Sequence, residues 1–254
     1  MIILLSFASL KASPYELGKG DYWATGIGAL AGGAGLYMYG NIDAPTQQEI
    51  ASLKRSDIIG FDRGTTKNWN IDRANESDFT VFVSMALPAT LFFTETARDD
   101  FREISVMYME TMLLTNALAT ITKSVVKRYR PYCYDNKAPY SEKYEPFART
   151  SFFSSHSANA FAGAVFLGSV YGEYFPDSKF KGIVWSGALL TAGYTAYLRV
   201  AAGKHFPTDV IAGAVVGGAI GYLVPHLHKK GPQPLDIPLN YTVSPVRVTL
   251  TYKF

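Results

Sequence analysis

The chain has 254 residues, 48% hydrophobic, 14% aromatic and 18% charged, the last against about 25% in an average soluble domain. That apolar load excludes intrinsic disorder, a net charge of +3 is far from the balance of a nucleic-acid-binding protein, and one cysteine, Cys133, excludes an internal disulfide or a cysteine-based metal cluster. A mean hydropathy of +0.05 lies between a secreted enzyme and a bilayer-embedded protein, so composition poses the question of membrane residence without answering it.

Residues 1–13 (MIILLSFASLKAS) form a short apolar run followed by small residues. They resemble the core of a signal sequence but lack a basic leading region. Six Gly/Ala-rich apolar segments follow, at residues 22–40, 79–94, 104–122, 157–172, 182–198 and 210–225. Without strand-like alternation they predict helices. Asp78, Ser157 and Asp209 stand at N-cap or first-turn positions and Gly40 at a stop. A bilayer takes about 20 apolar residues, with a lower limit near 17. Three segments have 16, one has 17, and the third carries Glu110, so they read as short spans or as the buried helices of a bundle. The links at residues 41–78 and 123–156 are long and polar. In the tail, Val246, Val248, Leu250, Tyr252 and Phe254 alternate with polar residues, which predicts a strand paired with residues 239–243 in a hairpin. The expected organisation is an N-terminal segment (1–21), an all-α six-helix domain (22–228) and a β-like tail (229–254).

If the six segments run as antiparallel neighbours, residues 123–156 and 199–209 meet at one pole. Three islands lie there. In the first, Lys123 and Arg130 are seven residues apart, two helical turns, and Pro131 follows. In the second, Ser151, Ser154, Ser155 and His156 run into a helix N-terminus, where hydroxyls and free N–H groups attract anions and a histidine can protonate a leaving oxygen. In the third, Arg199 precedes His205 and Asp209, which are four apart, so that a carboxylate can orient the ring and leave the other nitrogen as nucleophile. Singly, each island reads as a dipole complement or a cap. Together they describe a site that processes phosphate without a metal. His226 and His228 match no motif and read as solvated tail residues.

The islands resemble the signature of the type 2 phosphatidic-acid phosphatase superfamily, which includes bacterial acid phosphatases and vanadium haloperoxidases. The K-x6-R-P motif is matched by Lys123, Arg130 and Pro131. The P-S-G-H motif is kept at Ser154 and His156, with Phe153 and Ser155 replacing Pro and Gly. The S-R-x5-H-x3-D motif is kept at Arg199, His205 and Asp209, with Leu198 replacing Ser. The resemblance implies that His205 attacks phosphorus, Asp209 orients it and His156 protonates the leaving group. Lys123, Arg130, Ser154, the Ser155 N–H and Arg199 then hold the phosphoryl oxygens. It implies no cofactor, vanadate as inhibitor, no nucleic-acid partner, and a phosphorylated lipid (phosphatidate, polyprenyl diphosphate or lipid A type) as substrate. The expected location is a bacterial inner membrane with the site facing the periplasm. The alternatives are a soluble periplasmic acid phosphatase and, further off, a haloperoxidase.

Overall fold

The computed structural model describes residues 13–231, 240–244 and 247–251. The signal-like residues 1–12, and the tail positions Leu239, Val246 and 252–254, lie outside the described residues. The described helices are α1 (Lys19–Gly40), α2 (Gln47–Ser52), α3 (Gly60–Arg63), α4 (Ile71–Ala86), α5 (Glu95–Asp99), α6 (Phe101–Val126), α7 (Tyr140–Lys143), α8 (Ser155–Tyr174), α9 (Lys181–Ala201) and α10 (Pro207–Leu227). In the tail, β1 (Asn240–Ser244) pairs antiparallel with β2 (Arg247–Thr251).

The long helices run past the apolar segments, α6, α8, α9 and α10 at both ends and α1 at its start. α8 reaches 20 residues, α9 and α10 21 each, α1 22 and α6 26. The segment at 79–94 behaves differently. α4 begins at Ile71, capped by the Asn70 side chain, which accepts from Arg73 N at 2.9 Å. Leu87–Phe93, with Pro88 near its start, continue as a 3-10 helix. Asp78 is therefore two turns inside α4 rather than at its cap. Ser154, not Ser157, caps α8, and Gly40 ends α1 as expected.

α8 is the central helix, packed against α10, α9 and α4, while α1 lies against α6. The α8–α10 contact is backbone to backbone. Gly213, Gly217 and Gly221 form a stripe at four-residue spacing, and a Cβ at Gly217 would fall 1.9 Å from the Ala158 carbonyl oxygen. Apolar burial is concentrated around α8, in Phe166, Leu167 and Val170 with Met107 and Ala192. The outward faces are also apolar: Trp23 is 74% exposed, Leu30 77%, Phe82 70% and Leu190 73%.

Two polar residues sit inside the bundle. Glu110 is buried and accepts from Thr25 Oγ1 at 2.7 Å. His228 is also buried, a correction to its reading as a solvated residue. Its Nδ1 bonds the Val224 carbonyl at 2.8 Å, and Nε2 lies 3.2 Å from Glu110 Oε2 and 3.3 Å from Asp21 Oδ1. The pairing of Tyr15 with Lys229 brings the segment before α1 against the one after α10, which closes this end of the bundle over His228.

Candidate active site

The C-terminal ends of α6 and α9 and the N-terminal ends of α4, α8 and α10 share one pole, where long loops cover them. α6 stops at Val126 because Lys127 adopts a left-handed conformation (φ 47°). Lys123 and Arg130 therefore do not share a helix face, as two turns of helix would have required. Lys123 comes from the last turn of α6, and Arg130 from the extended chain beyond the turn. They meet at Thr150: Lys123 Nζ donates to its carbonyl at 2.8 Å and Arg130 donates to its hydroxyl at 3.1 Å.

Ser154 accepts from Ser157 N at 3.3 Å as the cap of α8, and its own N–H donates to the Asp209 carbonyl at 3.0 Å, tying α8 to α10. The first-turn N–H groups of α8, including that of Ser155, have no intrahelical acceptor. In the same turn His156 Nε2 bonds Asp78 Oδ1 at 2.7 Å. Arg199 donates to Ser77 Oγ at 2.8 Å and to Asp78 Oδ1 at 3.3 Å. Ser77 thus gives Arg199 the support that Leu198, buried in the core, cannot give from the position where the family pattern has Ser. The Nε atoms of Arg130 and Arg199 are buried without partners.

His205 is 1% exposed. Its Nδ1 lies 2.7 Å from the Ser151 carbonyl, an acceptor only, so Nδ1 carries the proton and Nε2 is left with its lone pair. The expected direct bond to Asp209 is replaced by an indirect one, since Asp209 Oδ2 is 3.7 Å from Nδ1. That oxygen accepts instead from Ser151 Oγ at 2.5 Å and from Phe206 N at 2.8 Å. Burial, and then the charges of Arg130, Lys123 and Arg199, hold the His205 imidazole well below its usual pKa, in the neutral form.

Arg128, Asp62, Glu142 and Lys204 complete the pole without having been singled out from sequence. Arg128 bridges Asp209 Oδ1 at 2.5 Å and Asp62 Oδ2 at 2.8 Å, its guanidinium stacked 4.1 Å over the Phe206 ring. Asp62, fully buried, also accepts from the N–H and hydroxyl of Thr208 at 3.0 and 2.6 Å, which clamps the first long loop to the start of α10. Gly203 (φ +67°) turns the chain between α9 and α10 where a Cβ would press on the Asn68 backbone at 3.0 Å. Lys204 pairs with Glu142 at 2.8 Å over the rings of Trp69 and Tyr132. A cleft of about 460 Å³ opens here, lined by Asp78, Arg130, His156, Arg199, Glu142 and Lys204 among others; His205 is buried and does not line it, but feels the charges of Arg130 and Arg199, which do. The structure thus gathers all eight residues expected from sequence at one pole. Asp78, on α4, was read only as a cap, and its partners are 78 and 121 positions away, beyond any local spacing rule.

Two curated proteins are similar to this chain. A lipid A 4'-phosphatase from Porphyromonas gingivalis is 23% identical over 146 residues, 57% of this chain and 58% of that protein. An undecaprenyl-diphosphatase from Sulfolobus acidocaldarius is 28% identical over 131 residues, 52% of this chain and 58% of that one. The chain thus matches somewhat over half the length of each. Among solved structures, a transmembrane PAP2 type phosphatidylglycerolphosphate phosphatase from Bacillus subtilis aligns over 82% of this chain and 94% of its own, at 21% identity and a TM-score of 0.46. The model of the PAP2 superfamily matches residues 105–232, half of the chain and all three islands, and the chain belongs to that superfamily.

Proposed function

We propose that this protein is a phosphatase that hydrolyses a phosphate monoester or diphosphate carried by a lipid, through a phosphohistidine and without a metal. The observation that carries the reading is the convergence of Lys123, Arg130 and Arg199, with buried unpaired Nε donors on both arginines, around a neutral His205 whose tautomer leaves Nε2 free. A phosphoryl group supplies the acceptors those donors lack, and fixed cations are suited to the charge that spreads over its oxygens in the transition state. In the first step Nε2 of His205 forms a bond to phosphorus as the bond to the leaving oxygen breaks, and His156 gives that oxygen its proton. In the second, water loses a proton to His156 and displaces His205, releasing phosphate. The Ser154 hydroxyl and Ser155 N–H bind phosphoryl oxygens at the start of α8.

The lipid assignment draws on the outward apolar faces of the long helices, which are long enough to span a bilayer. It also draws on the relatives, a lipid A 4'-phosphatase and an undecaprenyl-diphosphatase. Residues 22–228 are the catalytic unit in this reading, and the cleft lies at one membrane face, where a headgroup phosphate would lie. The test is phosphate release from phosphatidate, polyprenyl diphosphate and p-nitrophenyl phosphate by the wild type and by His205→Ala. The variant loses release on every substrate while keeping its Tm, and orthovanadate inhibits the wild type. Full activity in His205→Ala overturns the mechanism.

A further inference from the structure

At the pole opposite the active site, α8, α9 and α10 leave a second cleft of about 250 Å³, roofed by the segment before α1. Ser169, which lines it, is 13 residues along α8 from His156, about 20 Å of helix rise. The two clefts share no lining residue.

Two of the residues that line this cleft carry buried hydroxyls with no partner. Tyr15 is 1% exposed and its phenol is buried and unbonded, and the Ser169 hydroxyl is buried and unbonded as well. Burial and the Glu173 carboxylate hold the Tyr15 phenol above its usual range, so it stays a donor. A buried hydroxyl left unsatisfied is costly, and two beside one small cleft fit an acceptor brought in from outside. The charges agree in sign. Lys181 and Lys229 both line the cleft; Glu173 pairs with Lys229, and Lys181 spends one of its three donors on the Pro176 carbonyl. One positive charge is left without a carboxylate partner in the cleft. Aromatic rings form part of the walls: the Trp185 ring lies so close to α8 that a Cβ at Gly168 would meet it at 2.4 Å, and Tyr222 stacks on His226.

We propose that this cleft binds a phosphate oxyanion, of the kind carried by an anionic phosphodiester lipid headgroup, with Tyr15, Ser169 and Lys181 as its donors. The volume suits a phosphate with a small alcohol. The half-exposed Tyr222 at its edge and the exposed Ile183 on α9 offer an acyl chain a path along the outside of the bundle. A lipid and free phosphate present the same chemistry to the cleft, and the experiment separates them. Binding here is independent of catalysis and does not rest on the phosphatase reading.

The test uses the full chain in detergent, with orthovanadate at saturation to occupy the catalytic pole, and reads Tm against added phosphatidylglycerol, phosphatidylcholine or inorganic phosphate. Phosphatidylglycerol raises Tm, and phosphatidylcholine raises it less. An equal rise with inorganic phosphate assigns the cleft to the free ion and supports the shared chemistry. Tyr15→Phe, which removes a buried unbonded hydroxyl, leaves the ligand-free Tm unchanged or higher and weakens the apparent affinity about 10-fold, the loss of one hydrogen bond to a charged acceptor. Lys181→Gln removes the preference for the anionic lipid. No shift from either anion in the wild type, or a shift that both variants retain in full, overturns the proposal. Failure of the phosphatase reading shows separately, as unchanged activity in His205→Ala.

Discussion

A backbone carbonyl, that of Ser151, sets which nitrogen of His205 is free, and Asp209 acts one bond further out by holding the Ser151 hydroxyl, the Phe206 N–H and Arg128. Because burial and three cations depress the His205 pKa, its neutral form persists into acid where an ordinary histidine, near 6.5, would be protonated. With His205 as the proposed nucleophile, protonation removes it, so a depressed pKa moves the acid limb of kcat/KM well below 6.5. A pH–rate profile with its acid limb at 6.5 would contradict this placement of His205. Asp78 is the second test at this scale. It holds His156 at 2.7 Å and Arg199 at 3.3 Å, so it positions both the proposed proton donor and one of the proposed oxyanion cations. Asp78→Asn keeps the shape and lowers kcat by about 10- to 100-fold, a fraction of what a general acid supplies, with a smaller change in KM. Steady-state kinetics on one soluble substrate decide it. Lys123, His156, Arg199 and His205 were legible in the sequence because their motifs are local. Asp62, Asp78, Arg128 and Glu142 were not, because their partners are 62 to 146 positions away and a lone charge on a loop or helix has many readings.

Among the elements, the contact of α8 with α10 sets the distance between the two histidine-bearing islands. His156 opens α8 and His205 lies just before α10, so the glycine stripe that lets the backbones touch also fixes the site's width. Gly217→Ala puts a methyl against the Ala158 carbonyl, where 1.9 Å is available, and costs about 1–3 kcal/mol together with much of the activity. Gly218→Ala is the control: its nearest neighbour is a Val165 methyl carbon at 3.7 Å, so stability moves by about 0.5 kcal/mol or less. Equal effects from the two variants, by denaturant titration, would contradict the packing argument. Helix existence was readable from apolar runs, but the ends were not, because Asn70, Ser154 and Lys127 set them through caps and a left-handed turn rather than through hydrophobicity.

For the whole molecule, the apolar character that left composition undecided is split between two surfaces. Part packs around α8, and part faces outward in Trp23, Leu30, Phe82 and Leu190, while Glu110 and His228 turn inward toward each other. Ionisable groups that face the interior and pair are the pattern a bilayer imposes. The expected outcome is that the full chain sediments with membranes after lysis, resists extraction by high salt and carbonate, and is released by detergent. Recovery in a high-speed supernatant without detergent would overturn the embedded reading and favour the soluble acid phosphatase.

The unpaired Nε atoms of Arg130 and Arg199 also bear on turnover. A cradle whose donors stand idle when empty favours any tetrahedral oxyanion, and inorganic phosphate, the last product, is one. In the proposed mechanism, tight retention of phosphate would make its departure a slow step of turnover. The proposed function then predicts that accumulated phosphate is a competitive inhibitor and a stabiliser of the fold, adding RT ln(1 + [phosphate]/Kd), about 2.7 kcal/mol at a hundred times Kd.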